Sequence, residues 1–295
     1  NTLRMRQAHQ TNALDLGGNT LTIGAGGIMG GANFQSMITN GTLTAGAASG
    51  YDLCFLSGNV GRRYTLYATI ADNGENPVSL VRGGMYTVPD SYTSLQLNVP
   101  NTYSGGTYLN ALNVTVADDG ALGSGPVYLD GTGMLSCPGG RRITITNDLY
   151  VRSDDAMLQS STGSGSDFIL SNAVITIDDG VTFRMRAGTY TLNSRVTGGG
   201  ALRLSSATKI DGDMANDYTG PTYLDSGVTV TLGKPNGTTS IPGDLYIESP
   251  ASAIVRLIES NQIADAALVT FTALVATNRA AATFELFGKS ETVGG

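Results

Sequence analysis

The chain has 295 residues, a formal net charge of −7 and only 14% charged residues. Apolar residues make up 41% of the chain, enough to bury a core, which excludes wholesale disorder. The acidic balance excludes a nucleic-acid partner, because such binding needs a basic surface to neutralise phosphates. No apolar run is long enough to cross a bilayer, so we expect no transmembrane helix and no membrane insertion by this segment.

Short β-rich segments separated by Gly, Asn and Asp follow one another along the chain. Each segment alternates apolar with small polar residues, and this period of two predicts a strand with one buried face. Predicted strands lie within residues 19–24, 41–46, 64–70, 94–99, 113–120, 142–155, 173–188 and 228–233. The residues expected to face the core include Leu21, Ile23, Leu43, Val114, Val116, Ile143, Ile145, Val174, Ile175, Ile177, Val228 and Val230.

One segment near the end of the chain carries a helical signal. Apolar residues recur at mixed spacing over 253–268, and Ser260 and Asn261 are suited to cap a short helix over Gln262–Ala267. The sequence therefore predicts an all-β chain with at most one short helix.

A nine-residue segment occurs twice in the chain. NTYSGGTYL at 101–109 returns as NDYTGPTYL at 216–224, and the repeat-like segments extend over 101–127 and 216–245. Strands this short cannot bury a core alone, so we expect the chain to coil and each turn to stack on the last. At about 20–25 residues per turn this predicts roughly a dozen turns in one continuous β-solenoid over residues 1–295.

The first repeat segment also carries a family pattern. Residues 101–127 resemble the autotransporter-associated β-strand repeat through Asn101, Thr102, Tyr103, Gly105, Gly106, Thr107, Gly120, Ala121, Leu122 and Gly123. The second segment departs from the pattern, with Pro221 at the second Gly position and SIPG in place of Gly-Ala-Leu-Gly. The resemblance implies a right-handed parallel β-helix and an exported passenger region of a bacterial surface or secreted protein. It implies no enzymatic activity and brings no catalytic residues.

Paired aspartates are the main candidates for catalysis. Polysaccharide-degrading enzymes on a parallel β-helix need carboxylates that converge on one face. Neighbouring residues of a strand point to opposite faces, and Asp before Gly is favoured in turns for backbone reasons. We therefore expect no catalytic site and no enzyme, and we keep a polysaccharide-degrading enzyme as the alternative. The pairs are Asp118-Asp119, Asp154-Asp155 and Asp178-Asp179.

The sequence predicts no metal site and no cofactor. His9, the only histidine, lies among polar residues, and we expect it at the surface rather than in a catalytic or zinc site. Oxygen ligands for calcium are concentrated in Asp211-Gly212-Asp213 and Asn216-Asp217, but the twelve-residue calcium-loop spacing is missing. We therefore expect a polar turn there.

Two further residue pairs have a simple geometric interpretation. Cys54 and Cys137 would lie three to four turns apart, beyond the reach of a disulfide, so we expect free thiols. Arg184 and Arg186, like Arg4 and Arg6, lie at i and i+2 and so share one strand face, which we expect to be solvated.

The predicted function is a structural or adhesive β-helical stalk or passenger segment, extracellular or at the bacterial cell surface. Residues 1–6 and 283–295 still follow the strand pattern, and open strand edges template association. We therefore expect the chain to be a fragment of a longer one, with further coils of that chain or identical subunits as partners, the latter stacking end to end into a filament. Exposed Thr, Asn and Tyr ladders offer a face to cell-surface glycans or proteins.

Overall fold

The chain folds as a parallel β-solenoid, which confirms the all-β prediction. A computed structural model describes residues 2–5, 11–30, 35–57, 63–84, 94–160, 165–249, 252–273 and 282–294. Strands make up 56% of the structure, and they stack in about ten turns without an α-helix in the described ranges. The chain divides into two compact units, Asn1–Pro138 and Gly139–Gly295.

The first unit contains three columns of parallel strands, and two of the columns share long strands. Its described strands are β1 Leu3–Met5, β2 Thr11–Asp15, β3 Thr20–Ile23, β4 Gly27–Gly30, β5 Gln35–Ala45, β6 Asp52–Ser57, β7 Arg63–Ile70, β8 Ser79–Gly84, β9 Ser94–Leu97, β10 Thr107–Leu109, β11 Asn113–Val116, β12 Val127–Leu129 and β13 Met134–Cys137. One column runs β1, β4, β6, β8, β10, β12. The second column runs β2, residues 35–39 of β5, β7, β9, β11 and β13, and the third runs β3, residues 42–45 of β5 and the end of β7.

The second unit repeats this three-column plan, and three of its strands are long enough to take part in more than one column. Its described strands are β14 Arg142–Ile145, β15 Leu149–Val151, β16 Met157–Ser160, β17 Asp167–Ile177, β18 Thr182–Gly198, β19 Ala201–Asp211, β20 Thr222–Leu224, β21 Thr229–Leu232, β22 Leu245–Ser249, β23 Ile254–Leu257, β24 Val269–Ala273 and β25 Thr283–Glu285. β17 contributes to two of these columns, β18 to all three and β19 to two. β20, β22 and β24 continue one column, and β21, β23 and β25 continue a second one.

Alternation along each strand places the core between the columns. In β17, for example, every second residue is buried on each side of a single irregularity. Ten of the twelve residues predicted to face the core are buried, whereas Leu21 and Val174 are half-buried. Val174 and Ile175 are neighbours in β17, so the two side chains cannot both point inward. Ile175 is the buried one.

Turn length varies along the chain, which explains why there are about ten turns rather than a dozen. Tyr108 pairs with Tyr128 after 20 residues, whereas Cys54 pairs with Val81 after 27. The register shifts by one residue within β5, β17 and β18, and the other additional residues lie between strands. Loops of a solenoid therefore absorb longer insertions than the strands do.

The predicted helix over Gln262–Ala267 is wrong. Ile263 instead forms a parallel bridge to Ile241, and the carbonyl of Gln262 accepts hydrogen bonds from the backbone N–H groups of Ser240 and Ile241 at 2.8 and 3.0 Å. These bonds between turns replace the local bonds of a helix. The one short helical turn in the described ranges is a 3₁₀ turn at Ala47–Ser49, which the sequence pattern does not predict.

Candidate functional site

The repeated asparagine is a clamp between successive turns. Asn101 accepts a hydrogen bond from the Ile70 N–H at 2.7 Å and donates one to the carbonyl of Ala121 at 2.5 Å. It is buried, and its contacts lie 31 and 20 residues away in the chain. One side chain therefore ties its own turn to the turn before it and to the turn after it.

The second repeat segment builds the same clamp. Asn216 accepts from the Val196 N–H at 2.9 Å and donates to the carbonyl of Ser240 at 2.7 Å. Asn216 is also buried. The two repeat segments thus share the same pattern of hydrogen bonds as well as a similar sequence.

A buried hydroxyl pair follows each asparagine. The Tyr103 and Thr107 hydroxyls lie 2.6 Å apart, and the Tyr218 and Thr222 hydroxyls lie 2.5 Å apart. Burial raises the pKa of both tyrosines well above the ordinary range, and the threonine hydrogen bonds oppose that rise. A buried hydroxyl needs a partner, and each tyrosine finds its partner four residues on.

Pro221 makes the same backbone hydrogen bond between turns as Gly106 does in the first repeat segment. The carbonyl of Gly106 accepts the Leu80 N–H at 2.9 Å, and the carbonyl of Pro221 accepts the Leu202 N–H at 3.0 Å. The preceding glycine is less replaceable, because a Cβ at Gly220 would lie 2.3 Å from the carbonyl oxygen of Gly200. The departure at Pro221 therefore leaves the inter-turn contact unchanged.

An arginine-rich groove lies on the outer face of the second unit. We call it the arginine groove, and its volume is about 730 Å³. Arg184 and Arg186 of β18 are exposed on either side of the buried Met185, as their spacing predicts. The register of β18 on β19 adds a third arginine, because Arg184 pairs with Arg203. The lining residues are Gln159, Arg184, Arg186, Ala187, Arg203, Ser205 and Asp225.

The three guanidinium groups differ in their partners. Arg203 forms ion pairs with Glu248 and with Asp225, the latter at 2.6 Å, and lies 5.5 Å from the ring centroid of Tyr223. Burial lowers the pKa of Arg203. Its hydrogen bond to Glu248 and the charges of both carboxylates together raise that pKa by a larger amount, so the net shift is upward. Within the described ranges, neither Arg184 nor Arg186 forms an ion pair or a side-chain hydrogen bond.

A backbone irregularity forms one end of the groove. Ala187 has φ 54° and Gly188 has φ 74°, and the register of β18 on β19 shifts between Arg186 and Thr189. The corresponding shifts in β5 and β17 contain Asn40 at φ 53° and Asn172 at φ 59°. The left-handed conformation suits Asn better than Ala, so the chain carries strain at Ala187.

Two of the candidate catalytic aspartates accept backbone hydrogen bonds through their side chains. Asp118 accepts the Gly120 N–H at 2.9 Å, and Asp154 accepts the Thr182 N–H at 2.6 Å. Asp178 accepts the Val181 N–H through its backbone carbonyl at 3.1 Å, and its side chain is exposed, as is that of Asp179. The Asp118 contact is the local turn bond expected before Gly, whereas the Asp154 contact joins residues 28 positions apart in the chain.

A lysine ammonium occupies the candidate calcium segment. Lys234 is 0% exposed, and its Nζ donates to the carbonyls of Ser194, Asp211 and Met214 at 3.0, 2.9 and 2.6 Å. Burial lowers the pKa of Lys234 to about 8, whereas the charges of Asp211 and Asp213 act to raise it. No group of three or more potential metal ligands is found among the described residues. The positive charge in this segment is supplied by the ammonium group of Lys234.

A second buried cation lies in the core of the first unit. Arg82 occupies an inward row between Phe55 and Leu109 and is 0% exposed. It donates to the carbonyl of Phe55 at 2.9 Å and to the Ser57 hydroxyl at 3.1 Å, and burial lowers its pKa to about 10. Its strand is otherwise an ordinary alternating one, so the sequence pattern gives no signal for its role.

The remaining predicted residues have simple outcomes. Neither Cys54 nor Cys137 forms a disulfide, and the first is half-buried and the second buried. Burial, with the Asp52 charge, raises the pKa of the Cys54 thiol. Arg4 is exposed in β1, while Arg6 and His9 lie outside the described residues.

A scan against protein-family models finds no match, and neither do searches of the curated proteins and of the solved structures. The resemblance to the autotransporter-associated β-strand repeat therefore stays a prediction. Among the described residues there is no helix with the length and apolar character needed to cross a membrane.

Proposed function

We propose that this chain is a structural and adhesive segment of an extracellular or cell-surface β-solenoid stalk, carried by a larger bacterial protein. The observation that carries the proposal is the use of the repeat residues as clamps. Asn101 and Asn216 each join three successive turns, and the Tyr–Thr pairs are buried beside them. Repeats whose recurring residues hold turn to turn favour extension and display.

The contacts of the aspartates favour this role over a polysaccharide-degrading enzyme on the same fold. Hydrolysis needs a carboxylic acid and a carboxylate that face each other across a sugar. Asp118 and Asp154 accept hydrogen bonds from the backbone N–H groups of Gly120 and Thr182 instead. The long outer faces remain for weak, repeated contacts with glycans or proteins.

The experiment that tests the proposal is surface labelling of the organism that produces the protein. Antibodies raised against the 295-residue chain are applied to intact cells and to permeabilised cells, with an antibody to a cytosolic protein as control. We expect equal labelling of intact and permeabilised cells, or recovery of the protein from the medium. Labelling that appears only after permeabilisation would overturn the proposal.

The enzyme alternative is tested in parallel with the purified chain. It is incubated with pectin-like and glucan polymers, and new reducing ends are measured. We expect none. Release of reducing ends that Asp118→Asn or Asp178→Asn abolishes would assign the chain to the enzyme class instead.

A further inference from the structure

We propose that the arginine groove binds the carboxylate groups of a short acidic oligosaccharide. Arg184 and Arg186 project from one face of β18 with their side chains exposed. A planar guanidinium matches a carboxylate with two parallel hydrogen bonds, which gives both energy and orientation. Successive outward residues of a strand are about 6.6–6.8 Å apart, so the two arginines present two such forks in a row.

The placement of like charges in the groove favours an anionic ligand. Arg184 lies directly opposite Arg203 on the neighbouring strand, and like charges in this position destabilise a sheet. Arg203 forms ion pairs with the carboxylates of Asp225 and Glu248. Arg184 and Arg186 have none within the described ranges, so an external anion is the partner that relieves their repulsion.

The other lining groups favour a sugar over a small inorganic ion. Gln159 pairs in register with Arg186 and brings an amide that both donates and accepts, which suits hydroxyl groups. Tyr223 and Tyr246 continue the same face, with stacked rings 5.5 Å apart. The volume of about 730 Å³ is in the range of pockets for small organic ligands.

The overall charge limits the size of the ligand. A chain with net charge −7 repels a long polyanion, and only the local field of the arginines attracts one. We therefore expect a short oligomer, and we expect binding to weaken with salt because the guanidinium groups are exposed.

This inference deepens the adhesive part of the proposed function, since an adhesive face must have a ligand. The two are tested separately. Surface labelling measures where the protein lies in or on the cell, and its result does not depend on the arginine groove. The titrations below use purified protein, so their result does not depend on where the protein lies in the cell.

The test is calorimetric titration of the 295-residue chain with trigalacturonate, and with neutral maltotriose as the uncharged comparison. The variant carries both Arg184→Gln and Arg186→Gln. Its matched control carries Arg4→Gln and Arg63→Gln, which remove the same charge from exposed strand positions of the first unit. Circular dichroism checks that both variants retain the β fold.

We expect trigalacturonate to bind, maltotriose not to bind, and the groove variant to lose at least about tenfold in affinity while the control variant keeps it. Three results would overturn the proposal. They are equal binding of maltotriose, undiminished affinity in the groove variant, and displacement of trigalacturonate by inorganic phosphate at the same concentration. The last result would identify a general anion site.

Discussion

The hydroxyl groups of Tyr103 and Thr107 lie 2.6 Å apart in the interior of the first unit, with both side chains buried. The pair lies four residues apart in the chain, and Gly105 and Gly106 turn the backbone between them. A Cβ at Gly105 would lie 2.7 Å from the carbonyl oxygen of Val78, so the turn packs directly on the previous one. The recurring Tyr, Gly and Thr are therefore parts of one buried connection.

Tyr103→Phe should lower the free energy of unfolding of the first unit by about 1–3 kcal/mol, because the buried Thr107 hydroxyl loses its partner. Adding Thr107→Val should recover part of the loss, since both polar groups are then gone. Urea unfolding followed by circular dichroism measures both. Tyr67→Phe at an exposed position is the matched control, and equal stability of the Tyr103 and Tyr67 variants would contradict the prediction.

Asn101→Ala should loosen the contact between neighbouring turns. The Ile70 N–H loses its acceptor, so we expect its hydrogen exchange in the native state to speed up by about tenfold or more. Asn110→Ala, at an exposed position, should leave that exchange rate unchanged. Unchanged protection of Ile70 in the Asn101 variant would show that the side-chain bond contributes nothing to holding the turns together.

Local alternation made most of the strands predictable, because the burial of one face follows from residues two positions apart. The groove was predictable only in part. That Arg184 and Arg186 share a face follows from their spacing, but the addition of Arg203 depends on the register of β18 on β19, which a single strand does not encode. The turn at 262–267 was mispredicted for a related reason, since its hydrogen bonds go to Ser240 and Ile241 in another turn.

The buried cations were not predictable, because lysine and arginine are almost always surface residues. Lys234 is buried since three carbonyls from earlier in the chain converge on its ammonium group. Nothing within the local sequence Gly233-Lys234-Pro235 indicates that convergence.

Lys234→Met should lower the free energy of unfolding of the second unit by about 3 kcal/mol or more, because three carbonyl acceptors lose a shared charged donor. Lys289→Met is the control, since Lys289 is partly exposed and pairs with Glu259 at 3.5 Å. Urea midpoints of the two variants give the comparison. If the Lys234 variant is as stable as the Lys289 variant, Lys234 does not stabilise the fold and the prediction is wrong.

The stability contribution of Lys234 should depend on pH. Its pKa is lowered from 10.5 to about 8 in the folded chain, so between these values the unfolded chain binds more protons. The free energy of unfolding should therefore rise with pH in this window, by at most about 1.4 kcal/mol per unit, and should be insensitive to this group below it. The measurement is the difference between the natural chain and Lys234→Met at pH 7 and pH 9.5. If this difference in the free energy of unfolding stays constant or shrinks between pH 7 and pH 9.5, the predicted rise with pH is wrong.

Ala187→Asn should stabilise the second unit by about 0.5–1 kcal/mol, because Ala187 has the left-handed conformation that Asn tolerates better. Asn40 and Asn172 already occupy the matching irregularities of β5 and β17. Ala207→Asn is the control, since Ala207 is exposed in β19 and does not have a positive φ, so Asn is disfavoured there and a small loss is expected. Thermal and urea unfolding of the two variants should shift in opposite directions. A loss of stability in both would mean that packing against the neighbouring turn, rather than backbone strain, decides which residue stands at position 187.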